Sequence, residues 1–450
     1  MSSHRILLIT AFAWLFISAC SLAALSSATS TPPAPTLNID TQIATISQGL
    51  ITPAAQATPA FPPTVTLAAA ATPNVVTSTP QPQPTSASGG LRFGKGEALT
   101  LDSIHMLQTV DGWATGHTQT NPDQHILRTS NGGQSWKDVT PSELLAPSGS
   151  GNRRHAVGYF ASALDAWVVY DVPTGAAAAT VWQTHDGGLT WQASAPLALP
   201  EIMDFFDPGE FFLVDGQNMY LMAHNGVGMN HDYVTIYRST DGGMNWTRVV
   251  TPPDGGSFPM SCSKNGMAFS SDVRGRTSGD CYGVSDDTML YLTVDGGLNW
   301  TADRLPAPTD KATLFTDGKD MCGTQIAAWF GPGGLVLLNC RNDQPLYRSW
   351  LYHMDDQQQT ITNHPLPVQP VAWQFLNLQQ GWIIGGETLY HTADGGLTWK
   401  AVQTVHWGGQ LNFVSADVGW VLARSGEAVA LVYTETGGVL WREIKPVVGE

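Results

Sequence analysis

One short pattern occurs six times in this chain. Each copy has a hydroxyl residue, a variable residue, Asp or a substitute for it, two glycines, a variable residue, a small residue in most copies, and Trp. The copies are LRTSNGGQSWKDV from Leu127, WQTHDGGLTWQAS from Trp182, YRSTDGGMNWTRV from Tyr237, YLTVDGGLNWTAD from Tyr291, LYHTADGGLTWKAV from Leu389 and VYTETGGVLWREI from Val432. Six copies of so long a pattern predict a repeat architecture.

Each copy of this box is typical of a strand, a tight turn and a second strand. Asp-Gly and Asn-Gly favour hairpin turns because glycine adopts positive φ without steric cost. The Asp carboxylate can accept hydrogen bonds from N–H groups further along the turn, and the Trp covers the hairpin. We therefore predict structural roles for Asn131, Asp186, Asp241, Asp295, Asp394, Trp136, Trp191, Trp246, Trp300, Trp399 and Trp441. A repeated carbohydrate or metal site is the alternative interpretation.

A second pattern precedes each box and alternates like a buried strand that ends in a turn. It begins at His105, Gly158, Asp204, Gly266, Gln325, Ala372 and Leu411. This makes seven copies, one more than the intact boxes. The surplus copy predicts one further box that has lost its consensus.

The degenerate box is expected between Trp300 and Trp399, because that gap is about twice the normal period of roughly 50 residues. Alignment of LYHMDDQQQTITNH from Leu351 puts Asp356 at the Asp position and glutamines at the glycines. Seven strand patterns and seven boxes predict an all-β fold. Specifically, they predict a single seven-bladed β-propeller of four-stranded blades over residues 91–450, a normal length for one closed propeller.

Residues 1–20 read as a lipoprotein signal peptide, with an apolar run too short to span a membrane comfortably. Ile17-Ser18-Ala19-Cys20 looks like a bacterial lipobox, in which Cys20 is acylated and anchors the chain to a membrane. An ordinary cleaved signal is the alternative. Residues 21–90 are rich in Thr, Pro and Ala and predict a disordered stalk. We expect residues 91–101 to supply or cover a strand of the last blade.

Four cysteines lie in the repeat region: Cys262, Cys281, Cys322 and Cys340. Cys262 and Cys322 occupy equivalent places in consecutive repeats, with similar spacing to the next cysteine. We predict the disulfides Cys262–Cys281 and Cys322–Cys340, although four cysteines permit three connectivities. A metal site is the rival interpretation, but the sequence lacks the close spacing usual for zinc.

The net charge of -16, with only 21 Lys and Arg, argues against nucleic acid as a partner, because phosphate binding needs a basic patch. Loops between strands are the best place to seek function. The candidate binding residues there are Arg153, Arg154, Asp204, Asp207, Arg274 and Arg276. Glu210 and the segment from His224 to Asp232 add carboxylates and imidazoles. Ordinary solvated loops are the alternative, and no spacing typical of a metal site is present.

The boxes match the Asp-box, or bacterial neuraminidase repeat, and resemble those of sialidases, sortilin-type receptors and photosystem II assembly factors. In those families the box resembles a staple between the outer strands of a blade, away from the ligand face. Gly-Trp strand patterns, such as Gly381-Trp382 and Gly419-Trp420, alternate with the boxes. Over nearly the whole folded part this resembles the photosystem II stability and assembly factor family, which implies a chaperone without catalysis or cofactor.

Enzymatic relatives fit less well. A sialidase would carry an Arg-Ile-Pro motif, which this sequence lacks, and other Asp-box glycosidases resemble two propellers clasping a glucan. The sequence therefore predicts a monomeric, exported propeller, lipid-anchored on the extracytoplasmic side of a bacterial envelope. It would bind an envelope protein or glycan through its loops. An Asp-box glycoside hydrolase, sialidase-like or glucanase-like, is the alternative.

Overall fold

The computed structural model describes residues 92–145, 153–172, 175–201, 204–228, 231–252, 257–260, 262–280, 290–316, 320–342, 348–356 and 361–450. The fold is all-β, with seven four-stranded blades in a propeller ring. This confirms the predicted fold class and blade number. The predicted signal peptide, Cys20 and the stalk lie outside the described residues.

Each blade is an antiparallel sheet, and at six of the seven junctions the first strands of consecutive blades contact one another. Blade 1 comprises β1 (Thr100–Met106), β2 (Gly112–His117), β3 (His125–Thr129) and β4 (Ser135–Asp138), followed by a short 3-10 helix, Ser142–Leu144. Blade 2 comprises β5 (Ala156–Phe160), β6 (Ala166–Tyr170), β8 (Val181–Thr184) and β9 (Gln192–Ala193), with a small ribbon of β7 (Ala178–Ala179) and β10 (Leu197–Ala198) beside it. Blade 3 comprises β11 (Asp207–Leu213), β12 (Met219–Gly228), β13 (His231–Ser239) and β14 (Thr247–Val250).

The remaining blades follow the same order. Blade 4 comprises β15 (Ser263–Phe269), β16 (Gly275–Asp280), β17 (Leu290–Thr293) and β18 (Thr301–Asp303). Blade 5 comprises β19 (Asp320–Phe330), β20 (Gly333–Asn342), β21 (Arg348–Asp355) and β22 (Ile361–Pro365). Blade 6 comprises β23 (Ala372–Phe375), β24 (Gly381–Gly385), β25 (Thr388–Thr392) and β26 (Lys400–Thr404). Blade 7 comprises β27 (Gly408–Phe413), β28 (Gly419–Ser425), β29 (Ala428–Thr434) and β30 (Arg442–Ile444), and β31 (Val447–Val448) follows it.

The ring closes through the C-terminal strand β31, which pairs in parallel with β4 on the outer edge of blade 1. The segment that precedes β1 lies against β31, since Ala98 forms an isolated β-bridge with Val447. Leu99 and Leu101 pack in the core cluster that contains residues of blade 7. The N-terminal segment therefore covers the last blade but supplies none of its strands, because all four come from the final repeat.

The turn between the first two strands of a blade and the turn between its last two strands lie at the same end of the sheet. In six blades the N–H of the first box glycine donates to a carbonyl of the turn between the first two strands. These bonds are Gly132 to Val110, Gly187 to Leu164, Gly242 to Gln217, Gly296 to Val273, Gly395 to Gln379 and Gly437 to Asp417, at 2.8–2.9 Å. In blade 5 the Asp356 N–H donates to Pro332 instead, at 2.7 Å. We call this end of the ring the box face, and the opposite end the rim.

A buried polar side chain of each blade donates to a backbone carbonyl at the box face of the next blade. The donors and acceptors are Trp113 to Ser162, Trp167 to Gly242, Tyr220 to Asp272, Arg276 to Asp356, His353 to Gly395, Trp382 to Gly437 and Trp420 to Gly132. Buried N–H and O–H groups need such partners, because an unpaired one retains its desolvation cost. Second-strand side chains thus tie six of the junctions, and His353 on the third strand of blade 5 ties the seventh.

Arg276 corrects the expectation that both arginines of its pair belong to a loop. It lies on β16 with a side chain 1% exposed, and its Nε donates to Asp303 at 2.7 Å. Its Nη2 donates to the Asp356 carbonyl at 3.0 Å. Arg274 lies in the β15–β16 turn at the box face and donates to the Asp356 carboxylate at 3.0 Å. A buried guanidinium requires this pairing, so Arg276 joins two blades and is not available to a ligand.

The disulfide Cys322–Cys340 is confirmed. It joins directly opposed residues of β19 and β20, with Cα atoms 4.1 Å apart. Cys262 is also disulfide-bonded, but its predicted partner, Cys281, lies outside the described residues, so that pairing stays a prediction.

Candidate functional site

The box carboxylates are occupied by their own turns. The Thr184 hydroxyl accepts the Gly188 N–H at 2.9 Å, and Asp186 accepts the N–H of Thr190 at 2.9 Å and its hydroxyl at 2.6 Å. The same arrangement is found at Asp241, Asp295 and Asp394. Hydrogen bonds from Thr398 lower the pKa of Asp394 to about 2. Such a carboxylate stays ionised and has few lone pairs left for a ligand.

The two atypical boxes keep part of this bracing. The Asn131 side-chain oxygen accepts the Ser135 N–H at 3.0 Å, and the Thr436 hydroxyl accepts the Leu440 N–H at 2.9 Å. In the intact boxes a second carboxylate oxygen also accepts a bond from the polar side chain four residues on. Thr436 has no second oxygen, and Leu440 has no polar side chain, so this bond is missing. The turn therefore tolerates substitution as long as one acceptor remains.

The box tryptophans pack into the blades. The indole N–H groups of Trp136, Trp246 and Trp300 donate to the second box glycine of their own turn at 2.8–2.9 Å. Trp191 donates across the blade junction to the Val139 carbonyl at 2.6 Å. Within the described residues, the indole nitrogens of Trp399 and Trp441 have no hydrogen-bond partner. These contacts place the box at the outer strands of each blade.

At the rim, side chains from blades 7, 1 and 2 converge on Asp102. The His117 Nδ1 lies 3.0 Å from the Asp102 carboxylate and 2.9 Å from Arg153 Nη2. Arg153 also contacts this carboxylate, and Arg424 of blade 7 donates to the Asp102 carbonyl at 2.8 Å. Because two arginines lie beside Asp102 and only Arg153 contacts its carboxylate, this part of the rim carries excess positive charge. The Arg153 side chain is 39% exposed and reachable by a ligand.

Arg154 has a different environment from its neighbour. Its Nε donates to Asp123 at 3.2 Å and its backbone N–H donates to the same carboxylate at 2.9 Å. Its side chain is only 17% exposed and its guanidinium lies 5.7 Å from the Tyr170 ring centre. Arg154 therefore fixes the segment that leads into β5 against blade 1, and it is less accessible to a ligand than Arg153.

A histidine and a carboxylate of adjacent blades meet next along the rim. His155 Nδ1 of blade 2 lies 3.5 Å from Asp207 Oδ1 of blade 3, and the side chains are 49% and 55% exposed. The hydrogen bond with Asp207 raises the pKa of His155, and that with His155 lowers the pKa of Asp207. The Asp204 N–H donates to the Asn225 carbonyl at 2.8 Å just beyond them.

A β-bulge in blade 3 brings a second carboxylate below Asp207. Asp207 pairs with His224 and Glu210 pairs with Met222, with Gly209 as the extra residue between them. Since His224 and Met222 are two residues apart on β12, Asp207 and Glu210 lie on the same face of β11. Burial raises the pKa of Glu210 to about 8. Its buried Oε1 has no partner among the described residues.

His224 lies among the carboxylates of this blade. Its Nδ1 is 2.8 Å from Asp232 Oδ1. Burial opposes its protonation, but the hydrogen bond that Asp232 accepts and the charges of Asp207 and Glu210 raise the pKa of His224. The rim of blades 1–3 is thus positive where Arg153 and Arg424 lie beside Asp102, and negative around the carboxylate of Asp207. A ligand with complementary charges, or one rich in hydroxyl groups, fits such a surface.

The structure brings together four of the six candidate binding residues. Arg153, Arg154, Asp204 and Asp207 lie at the rim of blades 1–3. Arg274 lies on the opposite face and Arg276 is buried. Sequence reasoning missed Asp102, His117 and His155. His155 directly follows Arg153-Arg154, but nothing in the sequence of Asp102 or His117 marks them, because their proximity depends on strand register.

Across the described ranges, no group of three or more His, Cys, Asp or Glu side chains could hold a metal ion. In the same part of the chain, no helix has both the length and the apolar character needed to cross a membrane.

Fold and site together define a seven-bladed propeller with one charged sector on its rim. No protein-family model matches this chain, and no curated protein matches it. Among solved structures it is similar to YCF48 from Cyanidioschyzon merolae, with 18% identity over 76% of this chain and 97% of that chain, at a TM-score of 0.43.

Two further solved structures are similar to it. One is the GH74 xyloglucanase from Xanthomonas campestris, with 14% identity over 79% of this chain and 54% of that chain, at a TM-score of 0.44. The other is the β-propeller domain of the Trilobed protease from Pyrococcus furiosus, with 8% identity over 77% and 98%, at a TM-score of 0.44. At these identities and TM-scores, no similarity assigns a family or an activity to the chain.

Proposed function

We propose that this protein is a non-catalytic binding scaffold, exported and lipid-anchored at a bacterial envelope. It would engage an envelope protein or glycan through the rim of blades 1–3. The Asp-box sequence pattern supports kinship with the photosystem II assembly factor-like propellers. The Ile17–Cys20 lipobox supports anchoring, and residues 21–90 would hold the propeller away from the membrane.

The observation that carries the proposal is the exposed His155–Asp207 pair beside Arg153. These charges belong to different blades, remain about half exposed, and take no part in the seven junction bonds at the box face. An exposed ion pair contributes little to stability, typically about 0–1 kcal/mol. A cluster of such charges on one sector is therefore better explained by recognition than by folding.

The test is a pull-down from solubilised envelope, with the full chain as bait. Asp207→Asn and Arg153→Ala are the rim variants, and Glu387→Gln is the matched control. Glu387 also pairs with an exposed histidine, His406, at 3.4 Å, but it lies in blade 6, away from blades 1–3. We expect one partner to be recovered by the wild type and the control, and lost by both rim variants. Equal recovery by all four proteins would contradict a rim site.

A glycoside hydrolase is the second candidate, and the Asp207–Glu210 pair favours it. Glycoside hydrolysis needs one protonated and one ionised carboxyl group. Burial raises the pKa of Glu210 to about 8, while His155 lowers that of Asp207, so the pair is in this state near neutral pH. The two groups also lie on one face of β11, in the charged sector.

The two candidates differ in what Glu210→Gln does. In the scaffold, this variant retains its partner and no envelope glycan is cleaved by any form of the protein. In the hydrolase, wild-type protein releases reducing ends from an envelope glycan, and Glu210→Gln abolishes the release while the glycan still binds. Release of reducing ends that is unchanged in Glu210→Gln would remove this pair from consideration.

A further inference from the structure

The exposed apolar side chains of the protein are concentrated on the box face. The described residues include eleven exposed large hydrophobic side chains, and nine of them lie in turns at this face. These nine, which we call the aliphatic ring, are Val110, Leu164, Leu189, Val273, Val294, Leu298, Leu397, Val439 and Leu440, exposed by 41% to 70%. The other two, Val227 and Val371, lie at the rim end of their strands.

The folded state does not explain this concentration. Leu189, Leu298 and Leu397 follow the second box glycine, and each is more than 60% exposed. The turn is braced by its hydroxyl and carboxylate residues alone, and the first box carries Gln134 at the same position. Exposed apolar side chains that cluster on one face are typical of a surface that binds a partner.

In blades 2 and 4, ring residues of two different turns stand close to one another. The Gly187 N–H donates to the Leu164 carbonyl, which places the turn of Leu164 beside the box that carries Leu189. In blade 4 the corresponding bond from Gly296 to Val273 places Val273 beside Val294 and Leu298. In each of these blades, two turns therefore present a joint apolar surface.

The same turns carry fixed negative charge. Their carboxylates include Asp111, Asp165, Asp186, Asp215, Asp241, Asp272, Asp295, Asp394, Asp417 and Glu435. Arginines at this face are already paired, with Arg128 3.9 Å from Asp111 and Arg238 3.6 Å from Asp272. Hydrogen bonds from Thr190 lower the pKa of Asp186, so its charge persists in mildly acidic conditions. The box face therefore combines aliphatic side chains with an excess of carboxylates.

We propose that the box face is a second docking surface, which binds a protein segment carrying Lys or Arg beside Leu, Ile or Val. Charge complementarity identifies this occupant. A second copy docking through the same face would oppose like charges, since a two-fold interface joins identical patches. An anionic membrane surface would be repelled by the same carboxylates. This surface goes beyond the rim site and does not depend on it.

The test uses the full chain, immobilised through its C-terminal end, and a fluorescent amphipathic helical peptide of Leu and Lys. A peptide of the same composition with its apolar stripe scrambled controls for charge alone. The ring variant is Leu189→Gln/Leu298→Gln/Leu397→Gln, which copies the natural residue of the first box and so should fold normally. Val227→Thr/Val371→Thr is the matched rim control, and thermal melting verifies that each variant is folded.

We expect the ring variant to bind the peptide at least about tenfold more weakly, because it removes three apolar contacts. The rim control should remain within about twofold of the wild type. The scrambled peptide should bind weakly to every form, and salt should weaken the binding of the amphipathic peptide. Equal affinity of wild type and ring variant, or equal binding of both peptides, would refute the proposal.

Two further measurements address the other occupants. If anionic vesicles bind the wild type and not the ring variant, the surface binds lipid and the proposal is wrong. If sedimentation shows a dimer of the wild type that the ring variant does not form, the surface binds a second copy of this chain and the proposal is also wrong. With neither result, and with the expected peptide affinities, the box face is a protein-docking surface.

Discussion

The two ends of the propeller are built on opposite principles. At the box face six blades repeat one turn, which is tied to its own blade and, in several of them, accepts a bond from the neighbouring blade. At the rim, charged side chains gather on blades 1–3 in contacts that do not follow the repeat. The contrast shows how this chain separates its tasks: repeated contacts hold the ring, and the irregular contacts are free for recognition.

The largest effect should come from the one junction where an ion pair replaces an indole. Asp303→Ala leaves the buried Arg276 guanidinium without its 2.7 Å partner. We expect the free energy of unfolding to fall by about 3 kcal/mol, because the buried guanidinium then keeps only the more distant Asp356 carboxylate, at 3.6 Å, as a counter-charge. Denaturant titration provides the measurement.

The matched control for this junction is Asp272→Ala, which breaks the pair between Arg238 and a carboxylate that is 50% exposed. It should cost less than about 1 kcal/mol. Equal losses for the two variants would show that the Arg276 pair does not bear the junction, and the contrast between the faces would lose its main support.

A second prediction concerns Glu210, which occupies in blade 3 the register position of Gln410 in blade 7. Gln410 accepts the Ile104 N–H at 2.9 Å and donates to its carbonyl at 2.8 Å, and so joins blade 7 to blade 1. The Met267 backbone N–H of blade 4 likewise interacts with the Glu210 carboxyl group. A protonated Glu210 can imitate the amide, whereas an ionised one cannot donate.

Stability should therefore fall as pH rises from about 4.5 to 8. Burial raises the pKa of Glu210 from its ordinary 4.5 to about 8, so over this range the unfolded chain has released a proton that the folded chain retains. The folded state thus loses at most about 5 kcal/mol of stability as pH rises. Glu210→Gln should match wild type near pH 4 and exceed it at pH 9. Unfolding titrations at both pH values test this, and identical pH profiles would contradict it.

The fold could be predicted because the residues of the box specify their own turn without contacts from distant parts of the chain. Asp-Gly-Gly specifies a turn locally, and the period of the boxes fixes the blade number, including the blade whose box has decayed to Asp356. The strand β16 could not be recognised in this way. Its sequence Gly-Arg-Thr-Ser-Gly-Asp is polar, yet Arg276, Thr277 and Ser278 are buried. Arg276 bonds to Asp303 and to Asp356 of the next blade, and Thr277 bonds to the Gly266 carbonyl of its own blade.

The rim site could be predicted only in part for a related reason. Asp102 and His117 meet because the register of β1 and β2 places them at the same end of a hairpin. Asp207 and Glu210 share a face only because Gly209 adds a residue to the ladder, whereas simple alternation would put them on opposite faces. Register and bulges arise from pairing with other strands, so one stretch of sequence does not reveal them.

A smaller effect is expected for a box carboxylate. Asp186→Ala removes the acceptor for the Thr190 N–H and hydroxyl, and a lost cap of this kind costs about 1–2 kcal/mol. Asp295→Ala should cost a similar amount, because Asn299 makes the same two bonds to it. Denaturant titration of both variants provides the measurement. Losses that differ by several-fold would mean that the boxes are not equivalent braces.

The smallest effect on stability should come from the rim carboxylate Asp207. Asp207→Asn removes an exposed pair with His155 and should change the free energy of unfolding by no more than about 0.5 kcal/mol. Asp207 raises the pKa of His155, so the small stabilisation is present below the ordinary histidine pKa and is lost as pH rises through the raised value. The variant should therefore flatten the stability profile slightly around neutral pH while it abolishes partner recovery. A loss as large as that of Asp186→Ala would assign Asp207 to the framework, and the division between the two ends of the ring would fail at the residue on which the proposed site depends.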